Sequence, residues 1–136
     1  MNMQDSVRII QLTDAGDHRG SSFATPLECL EFIGSVRDIH IASIRPGALR
    51  GNHYHQQRRE ILCIRYADRW SLHWDSGSGT EIRRAEFSGS GVVMVEIEPL
   101  ASHAVRNDGN AEIHMIGFSN RLYDPKQPDS HLRKVV

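Results

Sequence analysis

The sequence has 136 residues, of which 24% are charged and 39% hydrophobic, and its formal net charge is −1. This near-neutral balance lacks the basic footprint of a protein that binds nucleic acid or an anionic membrane. No apolar run reaches the roughly eighteen residues of a membrane span, and the first residues lack a signal peptide's basic-then-apolar layout. We therefore expect a cytoplasmic protein with no nucleic-acid or membrane partner.

Short runs of strand-forming residues, separated by turn residues, make up most of the chain. The first predicted strand covers residues 7–12, and a helical turn is expected over Leu27–Ile33. Further strands are predicted at about residues 36–44, 50–55, 59–66, 69–75, 81–88, 92–98, 102–107 and 111–119. Segments rich in glycine, asparagine and aspartate lie between them. Closely spaced short strands favour an antiparallel sandwich or jelly roll over βαβ units.

The length fits one domain, and we expect a single unit over residues 1–136. Its barrel core is expected over about residues 36–119, with an extended tail over 120–136. The tail is polar, holds two prolines, and is expected to wrap the barrel or a neighbouring subunit. Jelly rolls leave open sheet edges, so a homodimer is expected in which the N-terminal strand or the tail is exchanged.

Four residues have the chemistry and spacing of a metal site. His53 and His55 are two residues apart on a predicted strand, so both point to one face while Tyr54 points to the other. A four-residue gap suited to a turn precedes Glu60, which can return level with the two histidines. His103 is the fourth candidate ligand, from a distant segment.

The same residues carry a family resemblance. The sequence resembles the first cupin motif over Gly47-(x5)-His53-x-His55-(x4)-Glu60 and the second over Pro99-(x3)-His103-(x3)-Asn107. The implied fold is an all-β, single-domain cupin jelly-roll barrel. The implied cofactor is one divalent metal ion held by His53, His55, Glu60 and His103; zinc, nickel, iron and manganese all suit this ligand set.

Within the cupins, three short segments resemble nucleotide-sugar epimerases and 3,4-ketoisomerases. Residues 50–55 (RGNHYH) look most like the cupin domain of capsular polysaccharide enzymes, residues 17–20 (DHRG) like an early segment of the epimerases, and residues 123–125 (YDP) like the ketoisomerase tail. The resemblance implies a small-molecule substrate, a nucleotide-diphosphate keto-sugar, that loses a proton next to its ketone. Arg50 and Arg19 match the diphosphate-binding positions, with Asn107 and Tyr123 as further substrate contacts.

The family comparison contains a conflict over His53. In the epimerases the histidine at this position is the catalytic base, but a nitrogen bound to metal cannot also accept a proton. We favour His53 as a ligand, and as the base only if no metal is present. The base is then expected among the strand histidines His40, His73 and His114.

The opposing acid is expected to be Tyr66 or Tyr123. Two other classes of function remain open: an iron-dependent dioxygenase-type cupin, and a non-catalytic cupin that binds a metal or a sugar. A non-catalytic function would be favoured if every candidate base faces away from the site.

Overall fold

The computed structural model describes residues 5–136, which form two antiparallel five-stranded sheets that face each other. In chain order the elements are β1 (Val7–Gln11), α1 (Leu27–Ile33), β2 (Asp38–Ile44), β3 (Leu49–Tyr54), β4 (Glu60–Tyr66), β5 (Trp70–Trp74), β6 (Arg83–Phe87), β7 (Gly91–Ile97), β8 (His103–Asn107), β9 (Ile113–Ser119) and β10 (His131–Leu132). One sheet has the order β1-β7-β4-β9-β2 and the other β10-β3-β8-β5-β6. The prediction of an all-β, two-sheet architecture is confirmed.

The predicted elements agree with the observed ones to within two residues at each end. The helical turn occupies its predicted range, and the nine predicted strands are all present. One further strand, β10, lies in the tail, where two residues among polar neighbours give no alternating pattern to detect.

The main core lies between the sheets, where alternate strand residues point inward. On β5, Trp70 and Leu72 are fully buried, and Ile64 of β4 and Val95 of β7 meet them from the other sheet. A second apolar cluster lies outside the first sheet, where α1 packs Cys29 and Ile33 against β4 and β7. Burial of each large apolar side chain contributes roughly 1.5–3 kcal/mol, so these two clusters fix the sheets that carry the site.

A bulge in β3 brings its end against β8. The pairing runs from Leu49 opposite Arg106 to Gly51 opposite Ala104, and then shifts so that His53 lies opposite His103. Gly51 has φ +125°, and a Cβ there would lie 2.4 Å from the carbonyl oxygen of His103. Asn52, the next residue, has φ +58°. Glycine is therefore required at position 51 for this close approach.

The segment over residues 129–136 lies along the edge of the second sheet. β10 pairs with β3, so that Leu132 lies opposite His53. Arg133 bonds the carboxylate of Asp75 at 2.8 and 2.9 Å, and Val135 is buried. β1 likewise pairs with β7 of the same chain. Exchange of these segments within a homodimer stays a prediction.

No helix within residues 5–136 has the length and apolar character needed to cross a membrane. The cytoplasmic location inferred from the sequence stays a prediction.

Replacing Gly51 by alanine is expected to lower the free energy of unfolding by about 2–4 kcal/mol, because the new methyl group meets the His103 carbonyl and the backbone is strained. The matched control is Gly47→Ala, which has φ +80° but open space around its Cβ, with an expected loss of about 1 kcal/mol. Urea unfolding measures both. Equal losses would contradict the close approach of β3 to β8.

Asp75 is expected to stabilise the fold in a pH-dependent way. Burial opposes its ionisation, but Arg133 and the backbone amides of Ser102 and Gly77 keep its pKa below the usual range. A lowered folded-state pKa stabilises the protein above the unfolded-state pKa of about 3.9, and this stabilisation disappears as the pH falls through the folded-state value.

We therefore expect Asp75→Asn to lower the free energy of unfolding by about 1–3 kcal/mol at pH 7. The difference from wild type should shrink steadily below about pH 4. Urea unfolding of both proteins across this range measures it. A difference that does not change with pH would contradict the role assigned to the ionised carboxylate.

Candidate metal centre

Three histidines meet at the inner face of the second sheet. His53 lies in β3, His55 follows its end, and His103 begins β8. Their ring centroids lie 4.8–5.4 Å apart, and one nitrogen from each ring can be chosen so that all three lie within 4.8 Å of one another. His55 and His103 are 2% and 3% exposed. Such a buried cluster of imidazoles is typical of a metal site.

Backbone carbonyls fix the tautomers of two of these rings. His55 donates from Nδ1 to the carbonyl oxygen of Asp129 at 2.6 Å, and His103 donates from Nδ1 to that of Ala101 at 3.0 Å. A carbonyl oxygen can only accept, so Nδ1 carries the proton in both rings. In the neutral rings the Nε2 lone pairs are therefore left free, which is the arrangement that metal-binding histidines use.

The Glu60 carboxylate faces both of those nitrogens. Its Oε1 lies 3.3 Å from Nε2 of His103, and its Oε2 lies 3.6 Å from Nε2 of His55. Burial works against ionisation of Glu60, but hydrogen bonds that His103 and His55 donate when they are protonated hold its pKa well below the usual range. When the two rings are neutral, the carboxylate faces two nitrogen lone pairs, and this arrangement is repulsive. Protons on the two Nε2 atoms or a metal ion between the groups removes the repulsion.

His53 differs from the other two histidines. Burial first, and then the neighbouring His103 and His55, lower its pKa to about 4. Its ring is therefore neutral at physiological pH, with a lone pair available. Unlike His55 and His103, it has no hydrogen bond to a backbone carbonyl among residues 5–136.

The donor set fits a divalent transition metal. Three neutral imidazoles and one carboxylate suit zinc, nickel, iron or manganese, and the four residues predicted as ligands are brought together. Their assignment as ligands stays a prediction.

A cavity of about 760 Å³ opens beside the three histidines. Leu62, Val105 and Met115 form its apolar base, where it meets the main core. Six predicted site residues line this cavity, namely His40, Arg50, His53, Glu60, His103 and Tyr123. His40 comes from β2, in the sheet opposite His53 and His103, and no hydrogen bond from its ring is found within the described part of the chain.

The other predicted candidates lie outside this cavity. His73 is on the outer face of β5, bonded to the Ser71 hydroxyl at 2.9 Å, and His114 is on the outer face of β9. Tyr66 exchanges hydrogen bonds with Gln11.

The two remaining substrate-binding candidates lie elsewhere. Arg19 pairs with Asp17 on an exposed loop. Asn107 donates hydrogen bonds to the carbonyls of Ile44 and Ala111, so its amide group joins the end of β2 to the turn after β8. The geometry of this single chain therefore gives a catalytic or substrate-binding role to neither.

Two residues that the sequence analysis did not select contact the site. Arg58 lines the cavity, with Nη2 3.5 Å from Nε2 of His55, and its buried Nε has no hydrogen-bond partner among the described residues. Asp129 contacts His55 through its carbonyl oxygen. The position of Arg58 in the sequence, between the candidate ligands His55 and Glu60, could have identified it as a site residue. No local sequence pattern identifies Asp129 as one.

Residues 15–131 match the family described as the polysaccharide biosynthesis C-terminal domain. The chain belongs to this family. No curated protein matches the sequence.

Solved structures with the same fold agree with that assignment. The capsular polysaccharide assembling protein CapF from Staphylococcus aureus is 24% identical, with a TM-score of 0.66 over 91% of this chain and 34% of its own. The 3,4-ketoisomerase QdtA from Thermoanaerobacterium thermosaccharolyticum is 15% identical, with a TM-score of 0.70 over 94% and 88%. The Mycobacterium tuberculosis rmlC epimerase is 17% identical, with a TM-score of 0.70 over 93% and 68%.

These likenesses confirm the cupin jelly-roll fold and its resemblance to epimerase and ketoisomerase cupins. The chain spans about a third of the length of CapF.

We expect Zn²⁺ to raise the melting temperature of the wild-type protein and Glu60→Gln to weaken Zn²⁺ binding at least about 10-fold. The matched control, Glu98→Gln, alters a carboxylate that pairs with Arg59 away from the centre. Calorimetry and thermal unfolding measure both effects. A wild-type protein that is indifferent to Zn²⁺ would contradict the metal centre.

Proposed function

We propose that this protein is a metal-dependent isomerase or epimerase that acts on a nucleotide-diphosphate keto-sugar by removing a proton next to the ketone. The observation that carries the proposal is a cluster of three histidines with Glu60 beside two of them, next to a cavity that His40 and Arg58 line. Within residues 5–136 the His40 ring has no hydrogen bond and the Nε of Arg58 has no partner. The family assignment supports a role in polysaccharide synthesis. QdtA, a structural neighbour, is described as a 3,4-ketoisomerase in complex with TDP-4-keto-6-deoxyglucose.

His40 is the proposed base. Proton abstraction requires a group with a free lone pair that reaches the substrate in the cavity. Of the three strand histidines selected from the sequence, His40 alone lines the cavity. Gly117 lies opposite it on β9, so no side chain there competes for the space beside the imidazole. The proton removed from carbon passes to the imidazole and leaves an enolate on the sugar.

Arg58 is proposed to stabilise an anionic oxygen of the substrate. A buried polar group without a partner costs about 1–3 kcal/mol, and a bound oxyanion would satisfy Nε. The guanidinium lies beside His55, so its charge would act where negative charge develops on the ketone oxygen.

Arg50 and Tyr123 complete the proposed site. The Nε of Arg50 is held by the Ser43 carbonyl at 2.8 Å, which leaves its terminal nitrogens to grip the diphosphate. Tyr123 is the candidate acid that returns a proton to carbon. A metal ion held by His53, His55, Glu60 and His103 would supply Lewis-acid polarisation of a substrate oxygen.

A second candidate mechanism uses His53 as the base in a metal-free cavity. The observation that favours it is the ring of His53, which is neutral at physiological pH and has no carbonyl partner in residues 5–136. The two mechanisms predict different sensitivities to removal of the metal.

Hydrogen–deuterium exchange next to the ketone tests the proposal directly. Incubated in D₂O with TDP-4-keto-6-deoxyglucose or a UDP-linked keto-sugar, the wild-type protein should introduce deuterium at one ring carbon, as followed by proton NMR. His40→Asn should slow this exchange about 10²–10⁴-fold, the usual contribution of a general base. The matched control His114→Asn, on the outer face of β9, should leave the rate unchanged.

The other outcomes separate the alternatives. Exchange that survives both a chelator and His40→Asn but is lost in His53→Asn would establish the metal-free mechanism instead. Binding of nucleotide-sugars without exchange would indicate a non-catalytic binding cupin. No effect of any nucleotide-sugar, together with tight iron binding and oxygen uptake, would indicate a dioxygenase-type cupin.

A further inference from the structure

Residues 129–136, named here the clamp segment, contact the chain next to all three histidines. Their strand β10 forms the edge of the second sheet beside β3, and Ser130 also lines the cavity. Their contacts are mostly hydrogen bonds to backbone atoms or to short side chains, which hold position more strictly than apolar packing does.

Asp129 holds the segment that joins two candidate ligands. Its carboxylate accepts from the backbone amides of Gln56, Gln57 and Arg58 at 2.7, 2.9 and 3.2 Å, while its carbonyl oxygen accepts from His55. Residues 55–58 of the connection that leads to Glu60 are therefore held by one residue about seventy positions away in the sequence.

Asn52 is held from both sides by the end of the clamp segment. Its Oδ1 accepts from the amides of Val135 and Val136 at 2.8 and 3.2 Å, and its Nδ2 donates to the Val136 carbonyl at 3.0 Å. Asn52 has a left-handed conformation within the β3 bulge, directly before His53. These bonds hold the bulge that sets the direction of His53.

The third contact lies next to His103. The Ser102 hydroxyl donates to the Arg133 carbonyl, and the Ser102 amide donates to Asp75, which also binds the Arg133 guanidinium. The residue before each of two histidines, and the Nδ1 atom of the third, are thus bonded to the clamp segment or to its ion-pair partner.

We propose that the clamp segment positions the metal ligands, with Asp129 and Asn52 as positioning residues, so that metal affinity depends on bonds made outside the cavity. This rests on the metal centre of the proposed function. Groups that orient ligating histidines typically change metal affinity 10–100-fold when they are removed. By linkage, a bound metal ion stabilises the docked clamp segment to the same extent.

The test compares three variants by Zn²⁺ competition against a chromophoric chelator. Asp129→Ala and Asn52→Gly should each weaken Zn²⁺ binding about 10–100-fold; glycine at position 52 keeps the positive φ and removes only the amide. The matched control is Asp68→Ala, whose carboxylate also accepts a backbone amide from a distant loop, that of Asn110, far from the histidines in the fold. It should lower the melting temperature and leave Zn²⁺ affinity unchanged.

Two spectroscopic readouts separate positioning from general stability. The Co²⁺-loaded variants should show altered d–d absorption relative to wild type and to Asp68→Ala, because ligand geometry has changed. In the metal-free protein, ¹⁵N NMR should show His55 protonated on Nδ1 in the wild type and a larger share of the other tautomer in Asp129→Ala, which keeps the Asp129 carbonyl but removes the carboxylate bonds that hold residues 56–58 beside it. Should Asp129→Ala fail to fold, Asp129→Asn, which keeps one acceptor oxygen, replaces it.

Unchanged Zn²⁺ affinity and an unchanged Co²⁺ spectrum in both variants, with a normal response in the wild type, would overturn the positioning role. A wild-type protein that binds no Zn²⁺ would instead overturn the metal centre. The inference, which rests on that centre, would be overturned with it.

Discussion

The chemistry of the cavity depends on two hydrogen bonds, from Nδ1 of His55 to the Asp129 carbonyl and from Nδ1 of His103 to the Ala101 carbonyl. Because a carbonyl cannot donate, these bonds dictate which nitrogen carries the proton and leave Nε2 of each ring as a lone pair. The Glu60 carboxylate then faces two lone pairs in a buried place. This arrangement of donors and acceptors requires either protons on the two Nε2 atoms or a metal ion between the groups.

In the proposed mechanism the two sheets supply different groups to the cavity. The second sheet provides His53 and His103, whereas the first provides Glu60 from β4 and His40 from β2. The conflict over His53, ligand or base, is relieved when the base comes from the opposite wall of the cavity. The substrate would then lie between a metal-binding face and a proton-accepting face, above an apolar base of core side chains. Arg58 lies between these groups, in the connection from His55 to Glu60.

Local periodicity predicted the strands and the four candidate ligands, because turn residues and alternation act over a few positions. Alternation along β5 was also sufficient to place His73 away from the cavity. Trp70, Leu72 and Trp74 are buried and mark the opposite face of β5 as the inner one. The same rule fails on β2, where Ile39 and Ile41 are 58% and 76% exposed and His40 faces the cavity. The helix α1 covers β4 and β7 on the outer face of the first sheet, whereas Ile39 and Ile41 on that face of β2 are exposed, so the apolar residues of β2 do not mark the core. Long-range bonds such as those of Asp129 leave no local signature and required the structure.

The pairing of β3 with β8 has a consequence for how the protein is made. His53 and His103 are fifty positions apart, and the segment that holds their neighbours is synthesised after both. During translation the ribosome therefore releases every candidate ligand before the residues that orient them, and non-local pairing of this kind is slow to form. A nascent chain exposes unoriented imidazoles until residues 129–136 emerge. Metal capture at the proposed centre would thus come late, after residues 129–136 have docked.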